Sequence, residues 1–220
     1  MSEKLRMRFS KEGRAIYISH LDLMRTMQRA FQRADYALKY SEGFNPHPIL
    51  SILLPLSVGM YSVCELMDFQ LAEEADLGNM PDRLTAFMPE GIRVSDVYPE
   101  GRKVRELKWL KISGSLEYDS ADTKRVRDGL QEFFAAEQIT IRKKTKRGEG
   151  ESDIAPAIRS IGFSDEGGQI ALSAVISAQE PTLNPELLIS ALAQLAPALS
   201  PDFSEFRRIE VYDADMKAFR

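Results

Sequence analysis

The chain has 220 residues, 44% of them hydrophobic and 28% charged, with a formal net charge of −4. These proportions fit one or two globular domains with real cores, and the acidic balance argues against a generic nucleic-acid coat while leaving room for a local basic face. The one cysteine, Cys64, excludes an internal disulfide and a cysteine-based zinc cluster; with no signal-like or membrane-length apolar run, the expectation is a cytoplasmic protein with no membrane partner.

Leu5, Met7 and Phe9 alternate with Arg6 and Arg8, the period-two pattern of a half-buried strand with a basic outer face. Lys11-Glu12-Gly13 reads as a turn and Ala15 to Ile18 as a short extended piece. Ser19 opens a helix as N-cap, with Asp22 three residues on in a capping-box-like arrangement. Leu23, Met24, Met27, Ala30, Phe31 and Ala34 make one apolar stripe, while Arg25, Arg29 and Arg33 fall with Asp22 on another face.

Next come Gly43, Asn45, Pro46 and Pro48 within six positions, too many breakers for a helix or an interior strand. The prolines fix their own φ and hold the preceding residues extended. A stiff loop presenting Asn45 and His47 is expected, anchored by the apolar run Ile49 to Leu54. Both histidines, His20 and His47, lie in this helix-and-loop segment.

Strands are then predicted at Ile49 to Pro55 and Ser62 to Leu71, a short helix at Asp82 to Met88, and a strand at Ile92 to Val97. Pro99-Glu100-Gly101 reads as a linker. Beyond it Lys108 to Tyr118 alternates as a strand, and Ala121 to Glu137 is amphipathic. Gln138 to Thr145, Ile154 to Phe163 and Gln169 to Ser177 are candidate strands, Asn184-Pro185-Glu186 starts a helix, and Phe206 to Tyr212 closes as a strand. The order strand, helix, strand, strand, helix, strand thus occurs twice. It predicts an α+β fold of two tandem ferredoxin-like domains with antiparallel sheets, residues 1–100 and 101–220. The Gly-rich charged stretch 146–152 reads as a mobile basic loop.

Charge is segregated along the chain. Up to residue 50, nine basic residues stand against five acidic ones, and basic clusters return at 102–111 and 142–147. No Walker loop, GxGxxG, HExxH, GxSxG elbow or iron–sulfur cysteine run is present, so neither a cofactor nor a metal is expected. Catalysis, if any, rests on His20, His47 and nearby arginines.

One resemblance is specific. Arg8-Phe9, Lys11, Gly13, the Ser19-His20-Leu21-Asp22 tetrad, Arg25, Arg29-Ala30, Arg33-Ala34, Tyr40-Ser41, the run Gly43-Phe44-Asn45-Pro46-His47-Pro48, Ser51, Pro55-Leu56, Gly59, Ser62 and Glu65 resemble the start of the bacterial radical-SAM-linked proteins. Members of that family are fused to, or encoded beside, a radical SAM protein. The sequence contains no radical SAM domain, so the resemblance implies a partner acting in trans. A fainter match covers the stretch from Thr145 to Ile158, where Ala155 replaces the arginine of the family's Asp-Ile-Arg-Pro motif. At the level of fold alone, the paired ferredoxin-like reading is similar to the CRISPR repeat-processing endonucleases.

The expected function is a non-catalytic accessory that binds structured RNA, or a ribosomal particle, for a radical SAM enzyme. Its expected contact residues are Arg8, Lys11, His20, Arg25, Arg29, Arg33, Tyr40, Ser41, Gly43, Phe44, Asn45, His47, Ser51, Lys143, Lys144 and Lys146. Guanidinium groups suit phosphate because their planar fork donates bidentately. Two alternatives stand beside it: an adaptor docking a radical SAM partner or a small molecule without RNA, and a metal-independent ribonuclease using His20 or His47 as general base.

Overall fold

The structure, a computed structural model, describes residues 3–119, 122–145 and 148–220. The chain divides into two compact units, Met1–Glu106 with Phe219–Arg220, and Leu107–Ala218.

In the first unit the alternating run forms β1 (Lys4–Lys11), and the stripe of apolar residues after Ser19 forms α1 (His20–Arg33). A three-residue β2 (Leu50–Ile52), a long β3 (Tyr61–Gln70), a short α2 (Met80–Thr85) and β4 (Ile92–Pro99) follow. β1 pairs antiparallel with both β3 and β4, and β2 pairs antiparallel with β3, giving the order β4-β1-β3-β2. Leu5, Met7 and Phe9 share one core with Leu23, Met27 and Phe31 of α1 and with Met80 and Leu84 of α2, so both helices cover one sheet face. The Phe31 ring lies 4.8 Å from that of Phe69. Each such side chain contributes roughly 1.5–3 kcal/mol by leaving water.

The opposite face of β1 departs from the sequence reading. Arg6 is wholly buried rather than solvated: its guanidinium donates to both Asp68 oxygens at 2.6 and 3.0 Å and to the Arg102 carbonyl at 2.9 Å, and sits 4.9 Å from the Phe219 ring. Alternation marks two unlike faces, and a bidentate carboxylate makes a buried cation tolerable. Of the piece predicted as extended at Ala15 to Ile18, Ala15 to Tyr17 belong instead to a 3₁₀ turn, Gly13–Tyr17, and Ile18 is extended. Gly91 packs against that turn; its amide carbonyl accepts from Glu12 N at 2.8 Å, and with φ at +89° a Cβ there would collide with the Glu12 carbonyl.

The second unit contains β5 (Leu107–Glu117), α3 (Thr123–Phe134), β6 (Thr140–Thr145), β7 (Gly148–Asp153), β8 (Ile158–Asp165), β9 (Gln169–Ser177), α4 (Glu186–Leu195) and β10 (Phe203–Asp213). β5 pairs antiparallel with β10 and β9, and β9 with β8, giving the order β10-β5-β9-β8. Phe134 of α3 stacks on Phe163 of β8 at 5.7 Å. The segments 138–145 and 154–163, read alike from sequence, part ways here. The first joins β7 in a separate two-stranded hairpin, and the second reaches the main sheet only after a 3₁₀ turn at Ala155–Ala157. Residues 148–152, expected in a mobile loop, are instead part of the paired strand β7; Lys146 and Arg147 lie outside the described residues. Both units are mixed α+β with antiparallel strand pairing. Among the described residues no helix is long and apolar enough to cross a membrane.

Candidate functional site

The site belongs to the first unit and is built by α1 and the chain that leaves it. Ser19 starts α1 by accepting the Asp22 amide at 3.2 Å, and its hydroxyl donates to Asp22 Oδ2 at 2.8 Å. Arg25 donates to the other Asp22 oxygen at 3.1 Å. These two hydrogen bonds, Ser19 first and Arg25 second, hold the Asp22 carboxyl below its usual range. At the other end the helix closes on Asp35, a non-glycine residue at φ 57°. Tyr36 N donates to Phe31 O at 3.0 Å and Asp35 N to Gln32 O at 3.3 Å, the paired bonds of a Schellman cap. This reversal directs residues 36–40 back along the helix.

The result is a groove of about 690 Å³. Arg25, Gln28, Arg29 and Gln32 of α1 form one wall, and Asp35, Tyr36, Ala37, Leu38, Tyr40 and Pro48 form the rest. Arg25 is paired with Asp22, whereas the Arg29 and Arg33 side chains make no ion pair among the described residues. Arg33 is exposed but does not line the groove, so the three arginines that share a face in the sequence divide into two that do and one on the flank. One turn separates Arg25 from Arg29, a rise of roughly 6 Å.

The loop after Tyr40 is held by its own polar atoms. Tyr40 bridges to Pro48, Ile49 N donates to Lys39 O at 2.8 Å, and Ser41 N donates to His47 O at 2.9 Å. Ser41 Oγ accepts the His47 amide at 3.1 Å and lies 3.0 Å from His47 Nδ1, which is also 3.3 Å from the Asn45 carbonyl. Nδ1 is thus satisfied inside the loop in either tautomer, accepting a hydrogen bond from the Ser41 hydroxyl or donating one to Asn45 O. His47 Nε2 is the nitrogen left for a ligand. Gly43, at φ 127°, supplies the reversal at the tip, and residues 42–47 are all exposed. Phe44 stands fully in water and Tyr40 is 55% exposed. On the other side of the loop, His47 and Pro48 border a smaller cavity of about 300 Å³ with Ser51, Lys4, Asp68 and Glu100.

The remaining expected residues lie elsewhere. His20 is exposed on the first turn of α1, lining neither space. Lys11 is buried; its Nζ donates to the carbonyls of Ile16 at 3.1 Å and Ile18 at 2.9 Å, which locks the 3₁₀ turn. Burial holds the Lys11 ammonium below its usual 10.5, with Glu65 opposing the shift. Arg8 is half-buried on β1. Lys143 and Lys144 lie on β6 of the second unit, in register with Gly150 and Glu149. Sequence reasoning missed Gln28, Gln32 and Asp35; their i, i+4 and cap spacing with the arginines was the available signal. Among the described residues no cluster of three or more His, Cys, Asp or Glu is placed to hold a metal.

Comparison with solved structures finds a likeness to a chain in the crystal structure of a Cbf5-Nop10-Gar1 complex, with a TM-score of 0.50 and 11% identity. It covers 94% of this chain and 48% of that one, so this chain spans about half the length of the chain it matches; the likeness concerns the fold. Looser matches are an unknown protein from Galdieria sulphuraria (TM-score 0.28, 7% identity, 94% of this chain and 99% of that one) and a putative glycine cleavage system transcriptional repressor (TM-score 0.26, 9% identity, 94% and 99%). No curated protein matches the chain. Residues 4–185 match the family described as uncharacterized protein conserved in bacteria (DUF2344). With most of its length inside that match, β1 through the residue before α4, the chain belongs to this bacterial family.

Proposed function

We propose that the protein is a non-catalytic RNA-binding accessory, and that the groove between α1 and residues 35–48 is where the RNA backbone lies. The observation that carries this reading is the groove itself, which combines two guanidinium groups, two side-chain amides and an exposed tyrosine. Arg25 and Arg29 follow the helix at one-turn spacing, close to the separation of successive phosphates in a polynucleotide, and Tyr40 offers a ring to stack on. Gln28 and Gln32 add neutral donors and acceptors for ribose or base edges.

The radical SAM enzyme acting in trans completes the proposal, supported by the resemblance of residues 8–65. An architecture of two ferredoxin-like repeats belongs to it as well. It is supported by the equivalent strand orders, β4-β1-β3-β2 and β10-β5-β9-β8, with the β6–β7 hairpin as an insertion in the second.

The test is equilibrium binding of the full chain to a structured RNA across a salt series. Wild type should bind with an affinity that falls as salt rises. Arg25→Gln with Arg29→Gln should flatten that dependence by roughly 1–2 in log–log slope, because each lost phosphate contact removes counterion release. Binding that is indifferent to salt or to these arginines would point instead to an adaptor that uses no RNA. The RNA should be recovered intact, in the absence of metal, after incubation with wild type.

A further inference from the structure

Phe44 is the most exposed large apolar side chain described, and the fold gives it no way to hide. The hydrogen bonds that tie Ser41 to His47, the bridge between Tyr40 and Pro48, and the two prolines pin both feet of the loop. The ring thus stands at the tip of a loop whose two ends are fixed.

What covers such a ring follows from its neighbours. A protein-docking hot spot sits within a contiguous apolar patch that excludes water around it. The tip of this loop is otherwise Glu42, Gly43, Asn45, Pro46 and His47, all exposed. A single aromatic face ringed by carboxylate, amide and imidazole matches a planar partner with polar edges. Glu42 also matters: its carboxylate repels phosphate, so the tip is electrostatically unsuited to the backbone that the arginines of α1 attract. Carboxylates and amides instead hydrogen-bond base edges.

We propose that Phe44 stacks on an unpaired nucleobase, with Asn45, His47 Nε2 and Glu42 available to its edge, and that the ligand of this site is therefore single-stranded or looped-out RNA rather than a continuous duplex. This rests on the RNA reading of the groove and assigns its substrate class. A duplex keeps its base faces stacked inside, and presenting one to Phe44 means first taking it out of the stack. An unstructured strand has no such cost.

The experiment measures fluorescence anisotropy of the full chain with a labelled unstructured RNA 12-mer and with the blunt duplex of the same sequence, at two salt concentrations. The single strand should bind at least tenfold more tightly. Phe44→Ala should weaken single-strand binding by roughly 5- to 100-fold, the range of one base–aromatic stack, without changing the salt slope. Phe44→Trp should bind as well as wild type or better. Phe44→Leu, as apolar but without a ring face, should behave like Phe44→Ala. Circular dichroism should show all three variants folded, since the side chain touches no core. The inference is overturned if the duplex binds equally well, if Phe44→Leu matches wild type, or if Phe44→Ala has no effect. In those cases, a loss of binding in the Arg25→Gln, Arg29→Gln variant would leave the RNA reading standing alone. If neither RNA shows salt-dependent binding, both readings fall.

Discussion

Two stretches of this chain are equally basic on paper and differ in what the fold does with them. Along α1, Arg25 and Arg29 line a groove whose other wall runs from Asp35 through Tyr36 and Tyr40 to Pro48, and among the described residues Arg25 alone of the helix arginines makes an ion pair, to the capping Asp22. In the β6–β7 hairpin the register sets Arg142 against Glu151 and Lys144 against Glu149, while Lys143 lies across from Gly150. The backbone of Arg142 is further tied to Gln194 of α4, whose amide accepts from its N–H at 2.8 Å and donates to its carbonyl at 3.1 Å. That is a strand edge closed by a side chain. Cross-strand opposite charges stabilise a hairpin and neutralise it for a polyanion, whereas unopposed charges on a helix leave their field to a ligand. Basic content does not make a binding surface; what stands opposite each base does.

The sharpest way to break this comparison is to remove the bases from each region in turn. Changing Arg25 and Arg29 to Gln should weaken RNA binding roughly 30-fold at low salt, taking about 1 kcal/mol for each of the two groove contacts. Thermal stability should change little, because exposed charges contribute only tenths of a kcal/mol each. A loss of RNA binding equal to this one on changing Arg142 and Lys143 to Gln would show that the hairpin is the interface.

A third kind of base, buried Lys11, separates structural from ligand-facing charge. Lys11→Met should lower stability by ~1–3 kcal/mol, since the carbonyls of Ile16 and Ile18 lose their buried donor, while RNA affinity in the folded variant stays at the wild-type value. Because burial depresses its folded-state value, the charged form costs stability. Wild type should therefore gain stability relative to Lys11→Met as pH rises from that lowered value toward 10.5, measured by denaturant midpoint.

Reversing Glu149 and Glu151 to Lys asks the converse question. Removing the acids opposite the hairpin bases should raise non-specific RNA affinity several-fold and steepen the salt slope by about 1–2. No gain would mean that the acids were not what silences this region.

The smallest effect is expected at Asp35, which borders the groove and holds a left-handed conformation. Asp35→Gly should stabilise the fold by up to ~1 kcal/mol by relieving that conformation at the cap. It should also tighten RNA binding about twofold by taking one carboxylate from the groove. Thermal melts and the anisotropy assay check the two halves separately.

Much of this is legible in the sequence. The alternation of Leu5, Met7 and Phe9 fixes their common core face, because side chains on a strand repeat every two residues. The stripe of α1, its Ser19 cap and the stiffness of residues 43–48 are likewise local, set by helical period, an N-terminal hydroxyl and proline φ. Helical spacing gives Arg25, Arg29 and Arg33 equal standing only while the helix surface is judged alone. Which of them border a groove depends on where Asp35 sends the chain, and a Schellman turn on aspartate rather than glycine leaves little trace in sequence. The burial of Arg6 is decided by residues far away in the chain, Asp68, Arg102 and Phe219, and Lys11 is buried where β1 pairs with β3, although the carbonyls that hold its ammonium, Ile16 and Ile18, are near in sequence. The cross-strand placing of Arg142 by Glu151 and Lys144 by Glu149 is decided by the register of β6 on β7. Period, cap and turn chemistry act over a few residues and can be read from the sequence. Burial of a charge and its pairing depend on which distant segments meet, and only tertiary structure settles that.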